Sequence, residues 1–260
     1  MMQSMIFAAG LGTRLKPLTD HTPKALIEIG GQTLLEHTIM RLKEAGFERI
    51  VINVHHFATQ IVDFLACNNY FGMDIRISDE TGQLLDTGGG LKKAAHLFDS
   101  QYPVLIHNVD ILNNIDLHAF YHDALNKGHG ACPDAVLMVS NRKTSRYLLF
   151  NDDMRLVGWT NTETGEVRSP YTNLDINTCQ RLAFSGIHCF SPHLFKEMET
   201  WNGKFGIMDF YLRICDRVCI KGKEWDGSQI MDVGKVASLE EANVFCKQLK
   251  DDRLHQGIME

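Results

Sequence analysis

Apolar residues come in short blocks along the first half of the chain. "MIFAAG", "RIVINV", "DIRISDE", "PVLIHNVD" and "DAVLMVSN" are rich in Val, Ile and Leu and read as buried strands. Between them the spacing turns helical. "TLLEHTIMRLKEAGF" sets Leu35, Ile39, Leu42 and Ala45 on one face, opens with Thr33 and Glu36 as a capping box and closes at Gly46. "ATQIVDFLACNN", "GGLKKAAHLF" and "DLHAFYHDALNKG" are the other predicted helices, with Asp116 as cap of the last. Such alternation predicts an α/β fold, a Rossmann-like, mostly parallel sheet with helices on both faces. On such sheets ligands bind at the carboxyl ends of the strands.

The pattern changes after residue 140. "RYLLFNDDMRLVGWTNTETGEV" predicts short strands joined by turns at 151–153 and 164–165, a β-rich insertion that could form a lid. "RLAFSGIHCFS" returns to a core strand, and "PHLFKEMETW" and "IMDFYLRICDR" are helical. In the last segment Ser238 and Glu241 suggest a second capping box. There is neither repeat nor Pro/Ser-rich linker. The expectation is one domain over 1–260, with an alternating α/β half (1–140) and a β-rich half (141–260).

Composition narrows the function. The chain has 260 residues, 44% hydrophobic and 22% charged, as in ordinary globular proteins. A net charge of −6 argues against nucleic-acid binding but allows one nucleotide, for which a few local cations suffice. No apolar run reaches bilayer length, and "MMQSMIFAAG" lacks the basic region of a signal peptide. The seven cysteines form no CxxC pair, and Cys215 and Cys219 suit one face of a helix better than a metal site. Reduced thiols and a cytoplasmic location are the expectation.

"AAGLGTRLKPLTDHTPKAL" follows the first strand directly. A glycine turn with Arg14 and Lys24 close behind is chemistry for phosphate. It is not a dinucleotide fingerprint, because Leu15 stands at the third glycine, and it is not a P-loop. The stretch resembles the G-x-G-[ST]-R-[LM]-x-P-L-T…P-K signature of sugar-1-phosphate nucleotidyltransferases at Gly10, Gly12, Thr13, Arg14, Leu15, Pro17, Leu18, Thr19, Pro23 and Lys24.

Three further segments resemble that family. "LLDTGGGLKKA" is similar to its base-binding loop, which implies Thr87, Gly88 and Gly89 beside the base; Thr87 also reads as a helix cap. "HNVD" is similar to its N/G-x-D motif, implying Asp110 as a Mg²⁺ ligand and Asn108 on the sugar side. "IMDVGK" is similar to its W-x-D-[IV]-G-T segment, implying Asp232 as second ligand, although Ile230 and Lys235 depart from the pattern. Gly186 in "AFSGIHCF" is implied at the sugar or, equally, at a glycine bulge. "NVHH" at 53–56 occurs near the nucleotide in relatives, and its histidines read as solvated. The Glu-Lys-Pro tripeptide that grips the sugar phosphate in many members is missing.

The resemblance implies a nucleotide-diphospho-sugar transferase (GT-A-like) fold, with 1–140 as the nucleotide-binding half and 141–260 as the sugar-binding half. It implies an enzyme joining an NTP and a sugar 1-phosphate with Mg²⁺, releasing pyrophosphate. Ala9, Gly10, Leu11, Gly12 and Thr13 would bind the phosphates, with Arg14 and Lys24 as catalytic cations. Among short members with "TGGG" and no Glu-Lys-Pro, the likeness is to those that use UTP and N-acetylmuramic acid 1-phosphate in cell-wall recycling. Two alternatives stand beside it. One is a cytidylyltransferase for phosphocholine, with Tyr147, Trp159 and Tyr171 available to a quaternary ammonium. The other is a non-catalytic nucleotide-sugar sensor.

Overall fold

The computed structural model describes residues 1–124 and 132–257, with side chains as far as residue 249. The first half alternates as the pattern predicts. Strand β1 (Gln3–Phe7) is followed by a small hairpin of β2 (Glu28–Ile29) and β3 (Gln32–Thr33), then helix α1 (Leu34–Glu44). Next come β4 (Arg49–Val54), α2 (Ala58–Cys67), β5 (Asp74–Asp79) and α3 (Asp86–Ala94). β6 (Val104–Asn108), β7 (Ile111–Asn113) and α4 (Leu117–Ala124) complete this half. Residues 125–128, the end of the predicted fourth helix, lie outside the described residues.

The second half holds β8 (Ala135–Ser140), β9 (Arg146–Phe150), β10 (Leu156–Asn161), β11 (Val167–Arg168) and the long β12 (Gln180–Phe190). Then follow α5 (Leu194–Glu197), α6 (Ile207–Ile214), β13 (Ile220–Lys223), β14 (Ile230–Asp232) and α7 (Leu239–Gly257).

Ten strands form one sheet. β5, β4, β1 and β6 lie side by side and parallel. β12 then runs antiparallel to β6 and carries β8 beside its C-terminal part and β9 beside its N-terminal part. The region expected as an insertion therefore extends the central sheet: β9, β10 and β11 continue outward from β12. β13, which carries no strong apolar pattern, adds in parallel to β8.

The parallel strands are buried on both faces, which is why their sequences are continuous apolar runs. Alternate residues of β1 enter different cores. Ile6 packs with the α1, α2 and α4 side, while Met5 and Phe7 pack with the α3 and α6 side. Helix ends are decided locally. The Thr33 hydroxyl accepts from the Glu36 N–H at 3.1 Å, and Gly46 takes φ +83° just past α1. Asp116 accepts from the Ala119 N–H at 2.8 Å, as expected of a cap.

Two local expectations need correcting. Ser238 lies inside a 3-10 turn (Val236–Ser238), and its hydroxyl donates to the Lys235 carbonyl at 2.7 Å, so it forms no capping box with Glu241. Cys215 ends α6, while Cys219 lies beyond the helix on the approach to β13, so they share no helix face. No cysteine is joined in a disulfide among the described residues, and no described helix is long and apolar enough to cross a membrane.

Candidate active site

A cavity of about 400 Å³ opens at the carboxyl ends of β1, β4 and β6. The glycine turn forms one wall. Ala9, Gly10, Leu11, Gly12, Thr13 and Arg14 all line it, and Lys24 lies beside them. Leu15, the residue that breaks the dinucleotide fingerprint, is a fully buried plug of the core. Gly12 is left-handed (φ +64°), and a Cβ there would stand 2.8 Å from Thr19 Cγ2. The Thr19 hydroxyl closes the turn by donating to the Gly12 carbonyl at 2.9 Å. Gly10 differs: its φ is unexceptional, and a Cβ would meet nothing within 4 Å. The fold does not require glycine at that position, whereas a phosphate passing close to the backbone would.

Asn108, Val109 and Asp110 form the floor, where β6 ends. Asp110 Oδ2 is ion-paired with Lys24 Nζ, both side chains mostly covered. A small antiparallel pair brings in the second carboxylate. Asp232 of β14 lies opposite Ile111 of β7, and the Val233 N–H donates to the Asp110 carbonyl at 2.9 Å. Lost hydration and, next, the Asp110 charge push the Asp232 carboxyl above the usual range. Gly234 completes this wall: a Cβ there would stand 2.7 Å from Asp232 Oδ1 and 3.0 Å from an Arg14 guanidinium nitrogen. Residues 14, 24 and 110, scattered in sequence, thus line one corner of the cavity, and Asp232, itself exposed and not part of the lining, stands beside that corner next to Gly234.

Asp110 and Asp232, near enough for the charge of one to act on the other, are an all-oxygen donor pair suited to a hard divalent cation. Among the described residues no group of three or more His, Cys, Asp or Glu could hold a metal. Substrate phosphates and water would have to complete the shell, the usual pattern for Mg²⁺.

The base end departs from expectation. Thr87 lines the cavity, but Gly88 and Gly89 do not. Their N–H groups donate to the Phe205 carbonyl at 2.9 and 3.2 Å. A Cβ at Gly88 would stand 2.4 Å from the Phe205 ring, and one at Gly89 2.7 Å from the Gly203 carbonyl. The glycines therefore let segment 203–207 pack flat on the start of α3. Thr87 is not a cap of α3; its hydroxyl accepts from the Ile207 N–H of α6 at 2.9 Å. Gly186 (φ +80°) lies where the β12 register shifts, so the bulge reading holds; it is packed against Asn108 and Ile111.

Sequence reasoning missed a buried bridge between the two walls. Asn53 Oδ1 accepts from the Ala8 N–H at 2.8 Å, and Asn53 Nδ2 donates to Glu80 Oε1 at 2.7 Å. Glu80 Oε2 accepts from the Leu85 N–H at 3.1 Å. Glu80 is fully buried, and burial, opposed by these hydrogen bonds, raises its carboxyl pKa. Both residues line the cavity, as do Asp86 and Lys204. In "NVHH" the asparagine thus touches the site, while His55 bonds the Glu80 carbonyl at 2.7 Å. Gly90 was a usable signal for the bridge, since a Cβ there would stand 2.5 Å from Glu80.

A glycine-turn wall, two basic side chains and two carboxylates stand together at the carboxyl edge of a parallel sheet, the arrangement expected of a nucleotide-handling transferase. The Nucleotidyl transferase family profile matches residues 3–248. N-acetylmuramate alpha-1-phosphate uridylyltransferase of Neisseria meningitidis is 32% identical over 94% of this chain and 98% of its own. The protein of the same name from Caulobacter vibrioides is 32% identical over 83% of this chain and 86% of its own. In solved structures, the inositol-1-phosphate CTP transferase of T. maritima shares the fold, with a TM-score of 0.75 and 15% identity. That likeness covers 96% of each chain. The chain belongs to the nucleotidyltransferase family, whose members here join sugar phosphates to nucleotides.

Proposed function

We propose that the chain transfers the uridylyl group of UTP to N-acetylmuramic acid 1-phosphate, giving UDP-N-acetylmuramic acid and pyrophosphate, with Mg²⁺. The gathering of Arg14, Lys24 and Asp110 at one corner of the cavity, with Asp232 beside it, carries the transferase part. The names of the two relatives at 32% identity support this base and sugar. We place the reaction in the cytoplasm, in the reuse of cell-wall sugars.

A phosphate oxygen of the sugar attacks the α-phosphorus in line. The bond to the bridging oxygen breaks, and pyrophosphate leaves with that electron pair. The nucleophile is already an anion, so no side chain need remove a proton. The obstacle is repulsion: each pair of charges at roughly 4 Å costs about 4 kcal/mol at an effective dielectric near 20. Catalysis is therefore neutralisation and alignment. Backbone N–H groups of residues 10–13 hold the β- and γ-phosphates. Arg14 takes the leaving pyrophosphate with its planar fork. Lys24 turns from Asp110 to the α-phosphate. Asp110 and Asp232 would hold Mg²⁺, which would supply charge neutralisation to the phosphates. Two of the three aromatics that could cage phosphocholine are engaged elsewhere. Trp159 lies under Arg168 at 5.0 Å, and the Tyr171 hydroxyl donates to the Cys215 carbonyl at 3.1 Å.

The test is pyrophosphate release with Mg²⁺ for UTP, CTP, GTP and dTTP. Each is paired with the 1-phosphates of N-acetylmuramic acid, N-acetylglucosamine, glucose and mannose, and with phosphocholine. Release with UTP and N-acetylmuramic acid 1-phosphate is expected. Preference for another pair overturns the substrate assignment, and nucleotide binding without release favours a sensor.

A further inference from the structure

Among the described residues three cations line the cavity: Arg14, Lys24 and Lys204. The first two come from the glycine-turn segment and stand at the corner of the carboxylates. Lys204 comes from the other wall, on the segment 203–207 that leads into α6. Four hydrogen bonds tie that segment to the start of α3. The Phe205 N–H donates to the Leu85 carbonyl at 3.1 Å, and the Gly88 and Gly89 N–H groups donate back to the Phe205 carbonyl. The Ile207 N–H donates to the Thr87 hydroxyl. The Phe205 ring is buried against Trp201, with ring centroids 4.8 Å apart. The backbone is thus locked and Phe205 is turned into the core, while the lysine before it lines the cavity.

Nearby lysines differ from it. Lys92 of α3 donates to the Glu199 carbonyl at 3.1 Å, and Lys93 donates to the Asp79 carbonyl. Among the described residues the Lys204 ammonium has neither an ion pair nor a hydrogen bond, although Asp86 lines the same wall. Asp86 instead turns its carboxylate to the Thr87 N–H, at 2.7 Å. Lys204 therefore brings to the cavity a charge that awaits an anion from a substrate.

The reacting groups do not need this charge. In the nucleotidyl-transfer reading, Arg14, Lys24 and the metal meet the triphosphate and the acceptor phosphate. The base and ribose carry no negative charge at neutral pH. Of the four sugar 1-phosphates on the panel above, only that of N-acetylmuramic acid has a further anion, the carboxylate of its lactyl ether. An ammonium is a compact charge on a flexible stem, suited to a carboxylate presented on a short rotatable arm.

We propose that Lys204 binds the lactyl carboxylate of the acceptor and so selects N-acetylmuramic acid over N-acetylglucosamine. The inference rests on the nucleotidyl-transfer reading and names what sets the sugar preference of that site.

The experiment is calorimetric titration of wild type, Lys204→Met and Lys204→Arg with UDP-N-acetylmuramic acid and with UDP-N-acetylglucosamine, which lacks only the lactyl ether. Lys204→Met should weaken binding of the first about 10–100-fold, the loss of one charge-assisted hydrogen bond, and leave the second unchanged. Lys204→Arg keeps the charge and should keep most of the preference. The melting temperature should not move, because the side chain is exposed. In turnover the acceptor KM should rise while the UTP KM stays. An equal loss for both UDP-sugars overturns the assignment, because the lysine would then serve what they share, and so does no loss for either. Wild-type turnover tests the underlying reading separately. Pyrophosphate release from UTP and N-acetylmuramic acid 1-phosphate upholds that reading whatever the variants do, and preference for a neutral sugar overturns both.

Discussion

Lys24 and Asp110, separated by 86 residues, meet in an ion pair on the floor of the cavity. Their side chains are only 11% and 17% exposed, so each offsets much of the other's desolvation. The pair also ties a proposed phosphate-binding cation to a proposed metal-binding carboxylate. Substrate and metal would replace the pair with one contact each. Asp110→Asn should lower turnover on the order of 10²–10³-fold. Asn keeps an acceptor for Lys24, so the fold should melt near the wild-type temperature. Wild-type turnover at saturating Mg²⁺ would sink the assignment, and thermal melts alongside the kinetics check the fold.

The two glycines of the turn should separate by experiment. Gly12→Ala forces a left-handed alanine against Thr19 and Lys24. It should cost about 1–2 kcal/mol of stability from the backbone alone. Gly10→Ala meets open space and should leave the melting curve unchanged. If phosphates approach that backbone, it should nonetheless weaken nucleotide binding by an order of magnitude or more, read by calorimetric titration with UTP. Equal effects of the two variants on melting would contradict the distinction.

Glu80→Gln replaces an acceptor with a donor opposite the Leu85 N–H while keeping one oxygen for Asn53. One buried hydrogen bond is lost, at about 1–3 kcal/mol. Denaturant unfolding checks the loss, and a raised KM for the nucleotide is expected because Leu85 leads into the base end. The pH dependence has a definite sign. Burial holds the folded carboxyl above the ordinary glutamate range, so the native state binds this proton more tightly. Its contribution to stability declines as pH rises from that range through the folded value. Glu80→Gln should remove that part of the profile.

Two buried histidines work the opposite way. Burial pushes His107 down to about 4 and His188 down to about 3. The unfolded chain then binds protons near pH 6.5 that the native state refuses until lower pH. Stability should be full above 6.5 and fall as pH drops toward 4, by a few kcal/mol for the two together. His107 is held by Asn108 and Asn113, whereas neither ring nitrogen of His188 has a protein partner among the described residues. His188→Leu should flatten part of this acid dependence without affecting nucleotide binding. Melting between pH 4.5 and 7.5 tests both statements.

The parallel half of the sheet was legible in sequence because strands buried on both faces must be apolar throughout, and the intervening helices repeat at 3.6 residues. The glycine turn was legible because its chemistry is contiguous: Gly12, Arg14 and Lys24 act within one short stretch. The antiparallel half was less so. β13 has glycine and lysine in place of an apolar run and forms only because β8 offers it an edge. The Ser238 cap failed because a 3-10 turn engaged its hydroxyl first.

The sequence by itself determined the strand–helix order, the glycine turn and its two cations, since these depend on neighbours along the chain. Only the tertiary structure decided that Asp232 would join Asp110, through a three-residue strand pair at the edge of the cavity. It alone placed Asn53 beside Glu80, spent the Gly88 and Gly89 N–H groups on Phe205, and set Lys204 in the cavity wall. These contacts join residues 27 to 122 positions apart in the chain. No local pattern records such a contact, because its energy exists only once the sheet has brought the two segments together.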